Sequence, residues 1–235
     1  MNRLQSTQRR LARRVLPAER FHARYPDELR GTVGGQWETM GAFQLAYMKG
    51  VGLEPHHQFL DVGCGLLRAG LHFIRYLEPG HYCGLDGSRE ILAAARVELR
   101  WAGLEDRGAE LLHTRLFEAE RFGRTFDFAL AQSVFSHTTA NTINVALQKI
   151  QHVLAPEGRF YATFFEDPAG TRGFREIEHR AAGSWVTRTT PHSDPFHYGL
   201  DLFEWMAEGT RLELEYVGDW GHTSGQRMLC FTRRD

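Results

Sequence analysis

The residues with the clearest capacity for ligand chemistry are Phe59-Leu60-Asp61-Val62-Gly63-Cys64-Gly65 and, further along, Asp86-Gly87. A short apolar strand runs into Asp61-Val62. Gly63 and Gly65 then let the backbone turn sharply and let a ligand come close. A helix starting near Leu66 aims its free N–H groups into the same crevice, where they favour negative charge. Asp86 closes the next apolar run, and a carboxylate at that place can accept hydrogen bonds from both hydroxyls of a ribose. An adenosine-bearing cofactor is the ligand this pattern suits. The other reading is local: the glycines only make turns, and Asp86 caps the helix that begins at Ser88. A second polar group, Gln132-Ser133 with His137, follows a later apolar strand. A third comprises Glu166, then His192, Asp194, His197 and Tyr198, with His222 and Gln226 near the end.

These residues need elements to hold them. Brief hydrophobic strands are expected at 58–62, 81–85, 110–113, 126–131, 159–165, 212–217 and 227–232. Helical spacing covers 38–49, 66–76, 88–102, 142–154 and 200–208, with Ser88 as an N-cap. Phe126 to Ala131 is apolar except at Asp127 and is expected to be buried on both faces. Pro156-Glu157-Gly158 reads as a turn. Strands alternating with helices imply an α/β fold, a doubly wound, mostly parallel sheet with helices on both faces. No helix separates the last two strands, so they pair antiparallel at one edge. Asp167 to Gly199 shows no period and reads as an irregular insertion. The expected organisation is an N-terminal helical or lid segment over 1–54 and an α/β domain over 55–235.

Composition narrows the function. A formal net charge of −1 gives no whole-molecule field to draw in nucleic acid or an anionic membrane. The three cysteines are widely spaced and odd in number, which fits a reducing cytoplasm rather than a disulfide framework. No ligand pattern anchors a metal at His192, Asp194 and His197, and no metal is expected. Apolar runs are of strand length, so no membrane helix is expected. Arg3, Arg9, Arg10, Arg13 and Arg14, interleaved with Leu4, Leu11, Val15 and Leu16, read as a basic amphipathic surface helix or a frayed tail.

Asp61-Val62-Gly63-Cys64-Gly65 with Asp86 resembles the first two motifs of class I, Rossmann-like S-adenosylmethionine-dependent methyltransferases. Phe126 to Ser133 resembles their fourth-strand motif. Leu154-Ala155-Pro156-Glu157-Gly158-Arg159-Phe160 resembles the turn before their fifth strand. The resemblance covers about residues 55 to 165, and the final pair of strands matches by topology. It implies a seven-stranded sheet with the last strand antiparallel, and S-adenosylmethionine as cofactor. One position departs: the family often has a third glycine where Leu67 stands, and the next glycine is Gly70. The run also lacks Gly-x-Gly-x-x-Gly spacing, which disfavours a dinucleotide. The resemblance places Trp37, Asp61, Gly63, Cys64, Gly65, Asp86, Gly87, Gln132 and Ser133 at the cofactor, Trp37 through its ring face near the sulfonium.

The resemblance further implies methyl transfer by in-line displacement, driven mainly by positioning. His137 and Glu166 are the candidate bases. His192, His197, Tyr198 and His222 are the candidate acceptor contacts, with the irregular segment covering the acceptor. No Asn/Asp-Pro-Pro-aromatic motif follows the fourth strand, which disfavours methylation of base amines. A small-molecule acceptor is expected, with hydroxyl ahead of amine. The alternatives are an RNA or protein methyltransferase using the N-terminal arginines, and a non-catalytic S-adenosylmethionine-binding module. The oligomeric state is left open.

Overall fold

The computed structural model describes residues 12–32, 36–170, 175–180 and 186–234. Arg3, Leu4, Arg9, Arg10 and Leu11 of the basic N-terminal segment lie outside the described residues.

Along the chain come α1 (Ala18–Arg24), α2 (Pro26–Thr32), α3 (Trp37–Gly50), β1 (Phe59–Val62), α4 (Gly70–Tyr76), β2 (Tyr82–Asp86), α5 (Arg89–Trp101), β3 (Glu110–His113) and β4 (Phe126–Ala131). Then follow α6 (Ala140–Ile150), β5 (Leu154–Glu166), β6 (Ile177–Arg180), β7 (Val186–Thr189), β8 (His197–Tyr198), α7 (Leu200–Glu208), β9 (Leu212–Asp219) and β10 (Arg227–Arg233). The strand order is β3-β2-β1-β4-β5-β10-β9, with β8 added beside β5. The pairs β2–β3, β1–β4 and β4–β5 are parallel. β10 runs antiparallel to both β5 and β9. The mostly parallel sheet with a reversed last strand is therefore as expected from sequence. Reversal of β10 follows from its short connection to β9, which has no helix to carry a crossover.

The chain forms two compact units, one of the described residues up to His57 with Cys64–Arg115, the other of Gln58–Gly63 with Leu116–Asp235. In the first, Phe21 and Leu29 pack with Leu66 and Ala94. A polar cluster ties the same helices down. Glu98 Oε1 accepts from His22 Nε2 and from Arg30 Nε, both at 2.7 Å, and Oε2 accepts from Arg30 Nη2 at 2.7 Å. Glu98 is 1% exposed, so this pairing is what makes its burial tolerable. Ser88 caps α5 as expected, its Oγ accepting from Ile91 N–H at 3.2 Å.

One helix begins later than the periodicity predicts. The pattern runs from Leu66, but α4 starts at Gly70. The cause is Leu67, which has φ +66° and cannot continue a right-handed helix.

In the second unit, β4 is buried on nearly every position, and Phe135, Phe160, Phe164, Phe203 and Phe231 fill the core. The expected turn at Pro156-Glu157-Gly158 is a bulge inside β5. The register jumps from Phe126↔Leu154 to Phe128↔Arg159, with Glu157 at φ +60°. A Cβ at Gly158 would lie 2.8 Å from Phe126 O, so only glycine fits there. The segment expected to be irregular carries the antiparallel hairpin β6–β7 and the short strand β8. Strands of two to four residues leave too few positions for an alternation to show.

Candidate functional site

In the first unit the site is built on the ends of β1 and β2. Gly65 has φ +56° and its N–H donates to Asp86 Oδ2 at 3.1 Å. Asp86 Oδ1 accepts from Ser88 N–H at 2.8 Å. Both readings of Asp86 thus have a place in the structure. It braces the turn and the start of α5, and a carboxylate offers about four acceptor sites, so two remain for hydroxyls. Burial pushes the Asp86 carboxyl above its usual range, partly offset by the two backbone N–H bonds and by His113. Gly87 leaves open space, since a Cβ there would meet nothing closer than 3.9 Å. These remaining acceptor positions on Asp86 fit the hydroxyls of a ribose.

Cys64 turns inward. It is buried, and a Cβ added at Gly84 would lie 2.9 Å from its Sγ, so the thiol packs on β2. Leu67 adopts the left-handed conformation that a glycine would, and its side chain is fully buried. A Cβ at Gly70 would lie 2.7 Å from Leu67 Cδ2 and 2.5 Å from Tyr82 Oη. The glycine of the next turn therefore makes room for the leucine that replaces the earlier one. Trp37 packs on the Phe21–Leu29 cluster, with the Arg30 guanidinium 4.5 Å above its ring.

In the second unit, Asp61 is buried at the end of β1. Gly63 has φ +73°, and a Cβ on it would lie 2.5 Å from Val134 Cγ2. After β4 the chain enters a polar network. Ser133 has φ +59°, its N–H donates to Thr163 Oγ1 at 2.7 Å, and its Oγ bonds the Gln226 amide. Thr163 Oγ1 in turn donates to Gln226 Oε1 at 2.6 Å. The side-chain amide of Gln132 lies 2.9 Å from His222 Nε2. His222 Nδ1 lies 2.8 Å from Ser224 Oγ and 3.2 Å from Ser224 N. Both ring nitrogens of His222 are thus engaged, and the ring stacks on Trp220 at 5.3 Å.

A cavity of about 440 Å³ opens beside the end of β5, lined by Glu166, Glu178, His179, Asp219, His222 and Arg227 among others. Each carboxylate on its wall is already compensated. Glu166 accepts from Tyr216 Oη at 2.6 Å and faces Arg227 Nε at 3.5 Å. Glu178 pairs with Arg180 and Arg188. Asp219 pairs with Arg227 at 3.3 Å. Burial and the bond to Glu166 push the Tyr216 phenol up to about 12. His179 is pulled down to about 4, by burial first and then by the charges of His197 and Arg227.

The remaining candidates scatter. His137 lies in an ion pair with Asp194 and its side chain is 55% exposed. His192 is an exposed turn residue. Tyr198 is buried and donates to Thr138 O at 2.6 Å. His197 is buried, with Nδ1 2.8 Å from Thr189 Oγ1. That hydroxyl also lies 2.8 Å from His179 Nε2. Sequence reasoning passed over His179, Thr189, Thr163 and Tyr216. No pattern in the sequence marks His179 or Thr189, which lie on strands of four residues each. Among the described residues no group of His, Cys, Asp and Glu could hold a metal ion, and no helix is long and apolar enough to cross a membrane.

Comparison with known proteins gives a family match. A family model for a methyltransferase domain matches residues 60–160. The fold is similar to that of an amino pentose methyltransferase of Micromonospora echinaspora involved in calicheamicin biosynthesis, solved with S-adenosylmethionine bound. The TM-score is 0.63 at 18% identity, covering 89% of this chain and 96% of that one. It is also similar to an S-adenosylmethionine-dependent methyltransferase of Clostridium acetobutylicum, with TM-score 0.61, 13% identity and coverage of 90% and 96%. A third is magnesium protoporphyrin IX methyltransferase of Synechocystis with bound S-adenosylmethionine, with TM-score 0.57, 11% identity and coverage of 83% and 81%.

Proposed function

We propose that this chain, whose residues 60–160 match a methyltransferase domain, is a class I S-adenosylmethionine-dependent methyltransferase that methylates a hydroxyl group of a small, neutral, polar molecule. S-adenosylmethionine, when bound, supplies an electrophilic methyl group on a sulfonium. Asp86 holds the ribose hydroxyls through its remaining acceptor sites, with Gly65 N–H and Ser88 N–H fixing the carboxylate. The acceptor lies in the cavity beside β5.

The observation that carries the acceptor class is the compensation of that cavity's charges. Glu166, Glu178 and Asp219 all face arginines or a phenol, so among the described residues the wall has no uncommitted carboxylate to pair with an ammonium. Ion-paired walls still offer many donors and acceptors, which suits a polyhydroxylated molecule. The named functions of two structural neighbours, on an amino pentose and on a porphyrin, are in keeping with a small-molecule acceptor.

The test is in two steps. Calorimetric titration with S-adenosylmethionine and S-adenosylhomocysteine should show saturable binding. Radiolabelled methyl transfer is then measured against a panel of neutral glycosides and polyols, matched amino sugars, bulk RNA and protein. Incorporation into neutral hydroxyl compounds is expected. Incorporation confined to amines, RNA or protein would overturn the acceptor assignment, and absence of cofactor binding would overturn the site.

A further inference from the structure

A histidine on the wall of the cavity beside β5 has its tautomer dictated by a buried threonine behind it. His179 on β6 lines that cavity and packs against Phe165 with ring centroids 4.6 Å apart. Its Nε2 lies 2.8 Å from Thr189 Oγ1, and the same oxygen lies 2.8 Å from His197 Nδ1. Thr189 is fully buried and His197 is 3% exposed, so water does not replace either contact.

The protons are assigned from the inside outward. The His197 ring also bonds the Thr189 backbone carbonyl, and its Nε2 has no hydrogen-bond partner among the described residues. Nδ1 therefore makes that bond. A carbonyl oxygen only accepts, so His197 carries a proton on Nδ1. The Thr189 hydroxyl meets that N–H as an acceptor and has its own proton to place, as a buried hydroxyl must. The acceptor within reach among the described residues is His179 Nε2. Burial first, then His197 and Arg227, hold His179 neutral near pH 7, opposed by Asp167. A neutral imidazole that accepts at Nε2 keeps its proton on Nδ1. That Nδ1–H has no partner among the described residues and is not sealed from solvent.

We propose that His179 Nδ1–H is a specificity-determining donor of the acceptor pocket, binding a lone pair on an oxygen of the substrate, and that Thr189 is the positioning residue that fixes this tautomer. The oxygen it takes is that of a hydroxyl, a carbonyl, or a ring or glycosidic ether, each of which accepts. An ammonium carries donors only and would meet a donor, so the same contact turns a charged amine away. The ring acts by orienting the molecule and takes no proton from it, because its lone pair is committed to Thr189. This inference rests on the reading above that a neutral acceptor occupies the cavity beside β5.

The test uses the full chain. Long-range proton–nitrogen NMR of labelled histidines at pH 7 should show Nδ1–H at both His179 and His197. An Nε2–H tautomer at His179 overturns the proposal whether or not an acceptor is known. The kinetic arm uses the neutral glycoside or polyol that takes label in the panel above. His179→Phe keeps the ring packing and loses the donor, and should raise KM for that compound about 10-fold while kcat holds. Calorimetric affinity for S-adenosylmethionine should stay unchanged. His179→Asn returns an N–H close to the Nδ1 position and should bring KM back toward wild type. Thr189→Val should raise KM and mix the His179 tautomers, and Thr189→Ser should restore both. Should His179→Phe fail to fold, the valine and serine variants of Thr189 carry the same comparison. An unchanged KM in His179→Phe, whatever its kcat, overturns the donor assignment and leaves the methyltransferase reading standing. Absence of label from every neutral compound instead removes the acceptor reading, and this inference with it.

Discussion

Leu67 and Gly70 share one space: Leu67 stands in the left-handed region at φ +66°, and its Cδ2 lies 2.7 Å from where a Cβ on Gly70 would be. The pair should behave as a unit. Gly70→Ala pushes into Leu67 and the Tyr82 hydroxyl and is expected to cost about 1–3 kcal/mol by overpacking. Leu67→Gly relieves backbone strain of about 1 kcal/mol but empties a buried leucine site, for a net loss of about 2 kcal/mol. The double variant should be less damaged than the sum, because glycine at 67 frees the space that alanine at 70 needs. Urea unfolding of the four proteins measures the coupling. Strict additivity would mean that the two positions do not compete.

Asp86 supplies a prediction about pH. Its carboxyl titrates above the ordinary carboxylate value, because burial outweighs the two backbone N–H bonds it accepts. Binding a ribose needs both oxygens as acceptors, hence the ionised form. Affinity for S-adenosylmethionine should be full above the folded-state pKa and should fall as the pH is lowered through it. The fall should come at higher pH than an unperturbed carboxylate would give. Asp86→Ala should weaken binding by at least about 10-fold at neutral pH, each lost charged hydrogen bond being worth about 1.5–3 kcal/mol. Calorimetry across pH 4–8 (about the range of ordinary carboxylate and histidine titration) reads both effects. Pocket occupancy that ignores both pH and the substitution would place the ribose elsewhere.

How much of this was legible in the sequence depends on distance along the chain. Gly63, Gly65, Asp86 and Ser88 sit at strand and helix ends that the apolar runs mark directly, and the structure puts them where the runs end. Leu67 was not legible, because nothing in the sequence marks a leucine for the left-handed region. The compensating Gly70 was visible only as a departure. Glu166 was found as the last residue of its strand, but its partners Tyr216 and Arg227 come from β9 and β10, fifty residues or more away. His179 and Thr189 lie on strands of four residues each, below the length at which a two-residue period can be read. His137 was singled out for following β4. It is instead held by Asp194 on an exposed surface, a contact that no local pattern encodes.

The N-terminal helices carry a second pH dependence. Burial works to raise the pKa of Glu98, but hydrogen bonds from His22 and Arg30 outweigh it and hold the carboxyl below its usual range. The unfolded state therefore binds the proton more tightly. The stabilisation is fully present above the unfolded carboxylate pKa of about 4.3 and is lost as the pH falls through the folded value. Glu98→Gln should destabilise the protein by about 3 kcal/mol at pH 7, since it leaves Arg30 without its carboxylate and His22 with a poorer partner. The gap between wild type and variant should narrow as the pH drops below about 4. Thermal melts at a series of pH values check this, and a gap that stays constant into acid would remove Glu98 as the titrating group.

Thr163 holds the turn after β4. Its hydroxyl accepts from the N–H of Ser133, a residue kept at φ +59°, and donates to Gln226 on the far side. Ser133 is thus strained at a place where strain needs support from its surroundings. Thr163 is fully buried, so removing its hydroxyl leaves the Ser133 N–H without this acceptor and Gln226 without this donor. Thr163→Val keeps the shape and should cost about 1–3 kcal/mol. Thr163→Ser keeps both bonds and should lose only the methyl group's packing, about 1 kcal/mol. The functional readout separates support from bulk stability. If Ser133 and Gln132 contact the cofactor, Thr163→Val should raise the Kd for S-adenosylmethionine at temperatures where the variant remains folded, and Thr163→Ser should not. Equal affinity in both variants would confine this network to holding β4, β5 and β10 together.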